Sequence, residues 1–441
     1  MWKKVWNKQL AIIILAMFGS IALYLGFEEH TLASNRNIRE ITKAHSESTT
    51  LTIQNVNVVI MAYKKSGSSF AGGIFHADPN AVYWFEPIGM AYVEMYGVIV
   101  PPWSIRMYPN GTARNIPYYE RAVVTDMLRN LFTCNYKDIT PYAFLGATNT
   151  STFSVIDDDE YNQCMMNLNL TWQHQFALLP TDIALNTSDC NRVKAVINTV
   201  QPMCLNPIIA AKYKLNISDN NIDELNRYKE IQHILPRYFT PISKCIESHQ
   251  RSCQRTPIRA TKVLRTELRS LIETSHNDPD LRIIFYMRDP RGIQNSRRKR
   301  GRNPGKSNRC CGDFYSFGSD DIISSSKVLC NMIKVDLDYL ESLNKTQMSK
   351  IIVVKYEDLI LHTELELKRI YRFLGRTEVP TEVVQWLDEH MHCNSTIPHL
   401  LCNENSEKVV YSWRNDLPDA VIESITEDCK DVLLTLNYPT Y

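Results

Sequence analysis

Two short stretches of this chain carry side chains able to hold an anion. The first, Lys64-Lys65-Ser66-Gly67-Ser68-Ser69-Phe70, comes directly after the apolar, β-branched run 56–62. A glycine there lets the backbone turn tightly, and successive N–H groups at a helix start face an anion. Ser66, Ser68 and Ser69 add hydroxyl donors, and Lys65 adds a point charge. The second stretch, Arg288-Asp289-Pro290-Arg291-Gly292-Ile293-Gln294-Asn295-Ser296, follows the apolar run 281–287. Its Arg288 and Ser296 offer a charged fork and a hydroxyl that together can grip a second phosphate. Each stretch alone has a plainer reading, a Ser/Gly helix cap in the first case and surface arginines in the second. The nucleotide-triphosphatase pattern GxxxxGK[ST] is missing from the first loop, so ATP or GTP hydrolysis loses its main support.

These residues need strand ends to hold them. Runs 56–62, 81–85, 281–287 and 350–355 read as short buried strands, each followed by a plausible helix. Leu329, Ile333, Leu337 and Leu340 fall on one helical face between the last two. Strands alternating with helices predict an α/β fold, a P-loop-like parallel sheet flanked by helices. The stretch from about 101 to 253 differs: it holds six cysteines and five Asn-x-Ser/Thr sequons, with weak strand signals. It reads as a helical, disulfide-tied insertion.

The chain has 441 residues, with 49 Lys and Arg against 48 Asp and Glu. That near-neutral balance argues against a general nucleic-acid coat. All twelve cysteines, Cys134 to Cys429, and all seven sequons (Asn110, Asn149, Asn169, Asn186, Asn216, Asn344 and Asn394) lie beyond the apolar run Leu10 to Phe27. No CxxC pair occurs, which disfavours zinc fingers and thioredoxin-like redox sites. Lys3, Lys4 and Lys8 precede the apolar run, while Glu28 and Glu29 follow it. The expected layout is a cytosolic tail 1–9, a membrane-spanning signal anchor 10–27, a stem 28–55 and a luminal domain 56–441. A cleaved signal peptide is the competing reading.

With these blocks in view, the sequence resembles the sulfotransferases. Lys65 to Phe70 looks like their 5′-phosphosulfate loop, and Arg288 to Ser296 like their 3′-phosphate site. Asp78-Pro79, Phe85-Glu86-Pro87, Lys355 to Leu359 and Trp413-Arg414 are similar to the Golgi carbohydrate sulfotransferases that modify the 6-hydroxyl of galactose, GalNAc or GlcNAc. The resemblance covers about 57–90 and 257–438 and leaves the insertion unmatched. One departure is Lys65, where the Golgi enzymes usually carry arginine; the charge role survives.

The resemblance implies the sulfotransferase fold and the donor 3′-phosphoadenosine 5′-phosphosulfate (PAPS), with a glycan as acceptor; the residues themselves show no metal cluster. Lys64, Lys65, Ser66, Gly67, Ser68, Ser69 and Phe70 would hold the donor's 5′ end. Arg288, Asp289, Pro290, Arg291 and Ser296 would serve its 3′-phosphate. Lys65 is the expected catalytic cation and Glu86 the expected general base. For Glu86 the alternative is a buried carboxylate that pairs with a lysine or caps a helix. Glu357 is better explained as ordering a core loop. His390-Met391-His392-Cys393 reads as surface plus disulfide rather than a ligand set. The basic run Arg297-Arg298-Lys299-Arg300, continuing with Arg302, Lys306 and Arg309, reads as a solvated helix end, an anionic-acceptor patch or a dibasic processing site. Competing functions are transfer to protein tyrosine or lipid, and a non-catalytic glycan-binding protein on the same scaffold.

Overall fold

The computed structural model describes residues 55–96, 105–108, 111–139, 143, 159–167, 212, 243–301, 319–391 and 406–440. The tail, the apolar run and nearly all of the stem lie outside these residues. Among the described residues no helix is long and apolar enough to cross a membrane.

The centre is a five-stranded sheet in the order β2-β3-β1-β4-β5. Its strands are β1 (Val56–Met61), β2 (Ala81–Phe85), β3 (Ile258–Val263), β4 (Leu281–Met287) and β5 (Ile351–Lys355). All four pairings are parallel. β1 is buried throughout, as a central parallel strand covered on both faces must be. Alternate residues serve opposite cores: Val59 and Met61 join one cluster, Val58 and Ile60 the other.

One face is covered by α1 (Ser68–Ala77), which buries Phe70, Ile74 and Phe75. The other face receives α2 (Ile88–Tyr96) and α3 (Tyr118–Phe132). Helix α4 spans 243–255, followed by α5 (Leu268–His276), α6 (Pro290–Gly301) and α7 (Ser319–Glu341). α7 buries Leu329, Ile333 and Leu337 of the stripe legible in the sequence, and leaves its fourth member, Leu340, half-buried. Beyond β5 come α8 (Tyr356–Leu361), α9 (Thr363–Phe373), α10 (Thr381–Met391) and α11 (Asp419–Asp428).

Strand β3 is not among the expected strands. Its sequence, Ile258-Arg-Ala-Thr-Lys-Val263, breaks the apolar run, yet it lies between β2 and β1 with Thr261 and Lys262 buried. It therefore separates β2 from β1 and brings a lysine to the interior.

Within the insertion, disulfides join Cys134 to Cys253 and Cys164 to Cys245. Cys245, His249 and Cys253 sit four residues apart on α4, so they share one face. His249 Nε2 accepts a hydrogen bond from Trp84 Nε1 at 3.1 Å, and its ring stacks on Tyr136. The insertion is thus pinned to β2 two residues before Glu86. A third disulfide, Cys330–Cys429, ties α7 to the residue after α11.

Candidate active site

The carboxyl ends of the strands meet along one edge of the sheet, where open α/β sheets bind ligands. β1 leads to Lys65, β2 to Glu86, β3 to Arg265, β4 to Arg288 and β5 to Tyr356. β1 lies between β3 and β4, which lead away in opposite directions, so the loop after it sits at the switch point.

That loop is tightly wound. Lys65 and Gly67 both hold positive φ, at 73° and 85°. A Cβ on Gly67 would meet Tyr356 ring carbons at 2.5 and 2.8 Å, so only glycine fits beneath this ring. For Lys65 the left-handed conformation is strained, a cost found where function over-determines the backbone. Ser68 and Ser69 open α1, while Phe70 packs against Trp386 of α10. Ser66 is fully buried and its Oγ has no hydrogen-bond partner.

The Arg288 site closes against the same loop. Arg288 donates to Ser296 Oγ at 3.1 Å and to the Lys65 carbonyl at 3.3 Å, with its guanidinium over the Tyr356 ring. The eight-residue spacing in the sequence does bring Arg288 and Ser296 together. Arg288 is buried and its Nε is without a partner. A buried hydroxyl and a buried guanidinium N–H, both unanswered, suit a ligand rich in acceptor oxygens. The residues present therefore fit a phosphate-bearing donor.

Asp289 and Arg291 depart from expectation: their side chains do not reach toward a phosphate. Arg291 is fully buried, and Asp289 accepts from its Nε at 3.0 Å and its second guanidinium nitrogen at 2.8 Å. Arg291 also donates to the Pro439 carbonyl at 2.7 Å and lies over Trp413. A guanidinium engaged on every side orders the loop from behind. Pro290 opens α6, where its missing N–H costs nothing.

Glu86 sits at positive φ and its backbone N–H donates to the Lys262 carbonyl. Its carboxylate pairs with Lys262 Nζ at 2.8 Å and with Arg265 at 3.0 Å. Burial pushes this carboxyl up, but the two cations outweigh it and hold the group at about 2. Burial pulls Lys262 down and Glu86 partly restores it. Lys262 Nζ also donates to Ser69 Oγ at 3.2 Å and lies 3.7 Å above the Phe85 ring. One ammonium thus links the carboxylate to the anion loop.

Lys262 and Arg265 were not singled out in the sequence, and Tyr356 only as part of the block Lys355 to Leu359. Nothing marked Lys262 there, because its strand was not recognised; a lysine buried in a strand calls for a charged partner. Glu357 is buried and accepts from the Asp289 N–H and from the Tyr438 hydroxyl. In the basic run, Arg297 donates to the Lys64 carbonyl, Arg298 to the Asp416 carbonyl, and Lys299 pairs with Asp416. These three side chains knit α6 to the anion loop and the C-terminal region. His390 stacks on Trp386 of its own helix.

Residues 221–436 match the sulfotransferase domain family. That match, over just under half of the chain, and the relatives below support a sulfotransferase activity. It is 20% identical to carbohydrate sulfotransferase 7 of Rattus norvegicus, over 88% of this chain and 75% of that protein. It is 23% identical to carbohydrate sulfotransferase 1 of Homo sapiens, over 87% of this chain and 80% of that protein. Among solved structures, the sulfotransferase domain from the curacin biosynthetic pathway aligns with TM-score 0.37 and 10% identity, over 88% of this chain and 99% of that one.

Proposed function

We propose that this protein transfers a sulfuryl group from PAPS to a glycan hydroxyl, at a 6-position, in the Golgi lumen. The observation that carries the donor assignment is the junction of two anion sites. Arg288 bridges from Ser296 to the loop carbonyl of Lys65, beside two unanswered buried donors. The carbohydrate acceptor follows from the names of the similar proteins.

When bound, PAPS supplies an activated sulfuryl group on a phosphate leaving group. The loop from Lys64 to Phe70 would hold its 5′ end, and Arg288 with Ser296 its 3′-phosphate. Lys65 and the N–H groups opening α1 stabilise negative charge where the leaving oxygen develops it. Glu86 orients the acceptor hydroxyl and takes its proton. With two cations on it, Glu86 is a weak base. Movement of Lys262 toward an anion in the loop, along its existing bond to Ser69, would restore basicity where it is needed.

The chain's layout in this reading is the tail 1–9, anchor 10–27, stem 28–55 and luminal catalytic domain 56–441. Three disulfides among the described residues favour an oxidising compartment. Asn344, the one sequon asparagine among the described residues, is exposed.

The test supplies the luminal domain with sulfur-labelled PAPS and a panel of glycans, tyrosine peptides and glycolipid headgroups. Label on a hexose 6-hydroxyl supports the reading. Label confined to tyrosine or to the lipid overturns the glycan assignment.

A further inference from the structure

The last described residues of the chain return to the loop that carries Arg288. After the terminal helix Lys430–Thr435, Asn437 takes a positive φ of 52°. Its N–H donates to the Leu434 carbonyl, and that of Tyr438 to Leu433. This turn buries Tyr438 and aims Pro439 inward.

From there two routes reach the loop. Tyr438 Oη donates at 2.8 Å to Glu357 Oε2, and Glu357 Oε1 accepts from the Asp289 N–H at 3.0 Å. The Pro439 carbonyl accepts from Arg291 at 2.7 Å, and Arg291 is clamped by the Asp289 carboxylate. Both routes end on Asp289, the residue next to Arg288. The Tyr438 ring also receives Lys355 Nζ at 4.9 Å. Glu357 is buried, which pushes its carboxyl up, while the Asp289 N–H and the Tyr438 hydroxyl pull it back down in part.

We infer that the C-terminal turn Asn437–Pro439 is a latch that sets donor affinity by positioning the Arg288 loop. Tyr438, Glu357 and Arg291 act as positioning residues, since their contacts are with the loop's rear. The inference rests on the proposal that Arg288 and Ser296 bind the 3′-phosphate. Losing the Tyr438 bond should loosen the loop and weaken nucleotide binding about tenfold, about 1.4 kcal/mol.

The test compares Tyr438→Phe, a truncation after Asn437, and Arg288→Ala with the unaltered protein. Adenosine 3′,5′-bisphosphate is the calorimetric probe, and amide hydrogen exchange is followed across 288–296. Tyr438→Phe should bind about tenfold more weakly, with the acceptor KM and the kcat at saturating donor retained. The truncation should bind more weakly still, and exchange at Asp289 and its neighbours should quicken in both. Unchanged binding and unchanged exchange in Tyr438→Phe would overturn the latch while leaving the Arg288 reading intact. Equal binding by Arg288→Ala and the unaltered protein would remove the 3′-phosphate reading and the inference with it. A fall in melting temperature with donor affinity preserved would reduce Tyr438 to a fold brace, and so would also count against the latch.

Discussion

At the scale of single residues the chemistry turns on Glu86 and Lys262. Because its folded-state carboxyl is depressed to about 2, Glu86 contributes stability that is present above its unfolded value of about 4.3. That contribution is lost as pH falls through about 2. Glu86→Gln should therefore flatten the acid side of the stability curve, read by denaturant melts from about pH 5 to pH 2. The same variant should lose about 100-fold or more in kcat if Glu86 takes the acceptor's proton. Lys262→Met removes one counter-charge, so the acid limb of kcat/KM should move upward in pH. An unmoved limb would detach Lys262 from Glu86 in function. Lys65→Ala should lower kcat by about 10²–10³-fold, as loss of an electrostatic donor does elsewhere. The pairing of Glu86 with a lysine was one of two readings open in the sequence. Its partners were not legible, because the contact crosses from residue 86 to residue 262 and depends on an unrecognised strand.

At the scale of elements, the loop after β1 was legible through Gly67, yet the reason for the glycine was not. The Tyr356 ring fills the space where its Cβ would stand, and that ring comes from the far end of β5. Gly67→Ala should lower stability by about 1–3 kcal/mol through strain at positive φ and should impair nucleotide binding together with it. Melting and calorimetry on one preparation would check both. The Asn344 sequon allows a cleaner separation of roles. Its Oδ1 accepts from the Gln347 N–H at 3.0 Å while Gln347 Oε1 accepts from the Asn344 N–H at 3.1 Å, a capping box ahead of β5. Thr346→Ala should remove a glycan and keep the cap, so a glycosidase-sensitive mobility shift disappears without a change in melting. Asn344→Ala should do both, at a cost of about 1 kcal/mol.

At the scale of the whole molecule, the alternation of apolar runs and helices revealed four of five strands and the parallel sheet. The fifth escaped because Arg259, Thr261 and Lys262 interrupt its hydrophobic pattern, and burial there depends on neighbours in space rather than in sequence. The cysteine count pointed to disulfides but could not pair them, since pairing depends on the folded path of the chain. The two anion blocks, 223 residues apart at Lys65 and Arg288, were visible separately; their junction needed the order in which β1 and β4 lie side by side. Nucleotide binding tests that junction most directly. Calorimetry would compare adenosine 3′,5′-bisphosphate with adenosine 5′-monophosphate on the unaltered protein and on Arg288→Ala. The bisphosphate should bind more tightly to the unaltered protein, and Arg288→Ala should erase that advantage while leaving the monophosphate nearly unchanged. A bisphosphate that binds no better than the monophosphate, or an Arg288→Ala variant that weakens both equally, would contradict that junction.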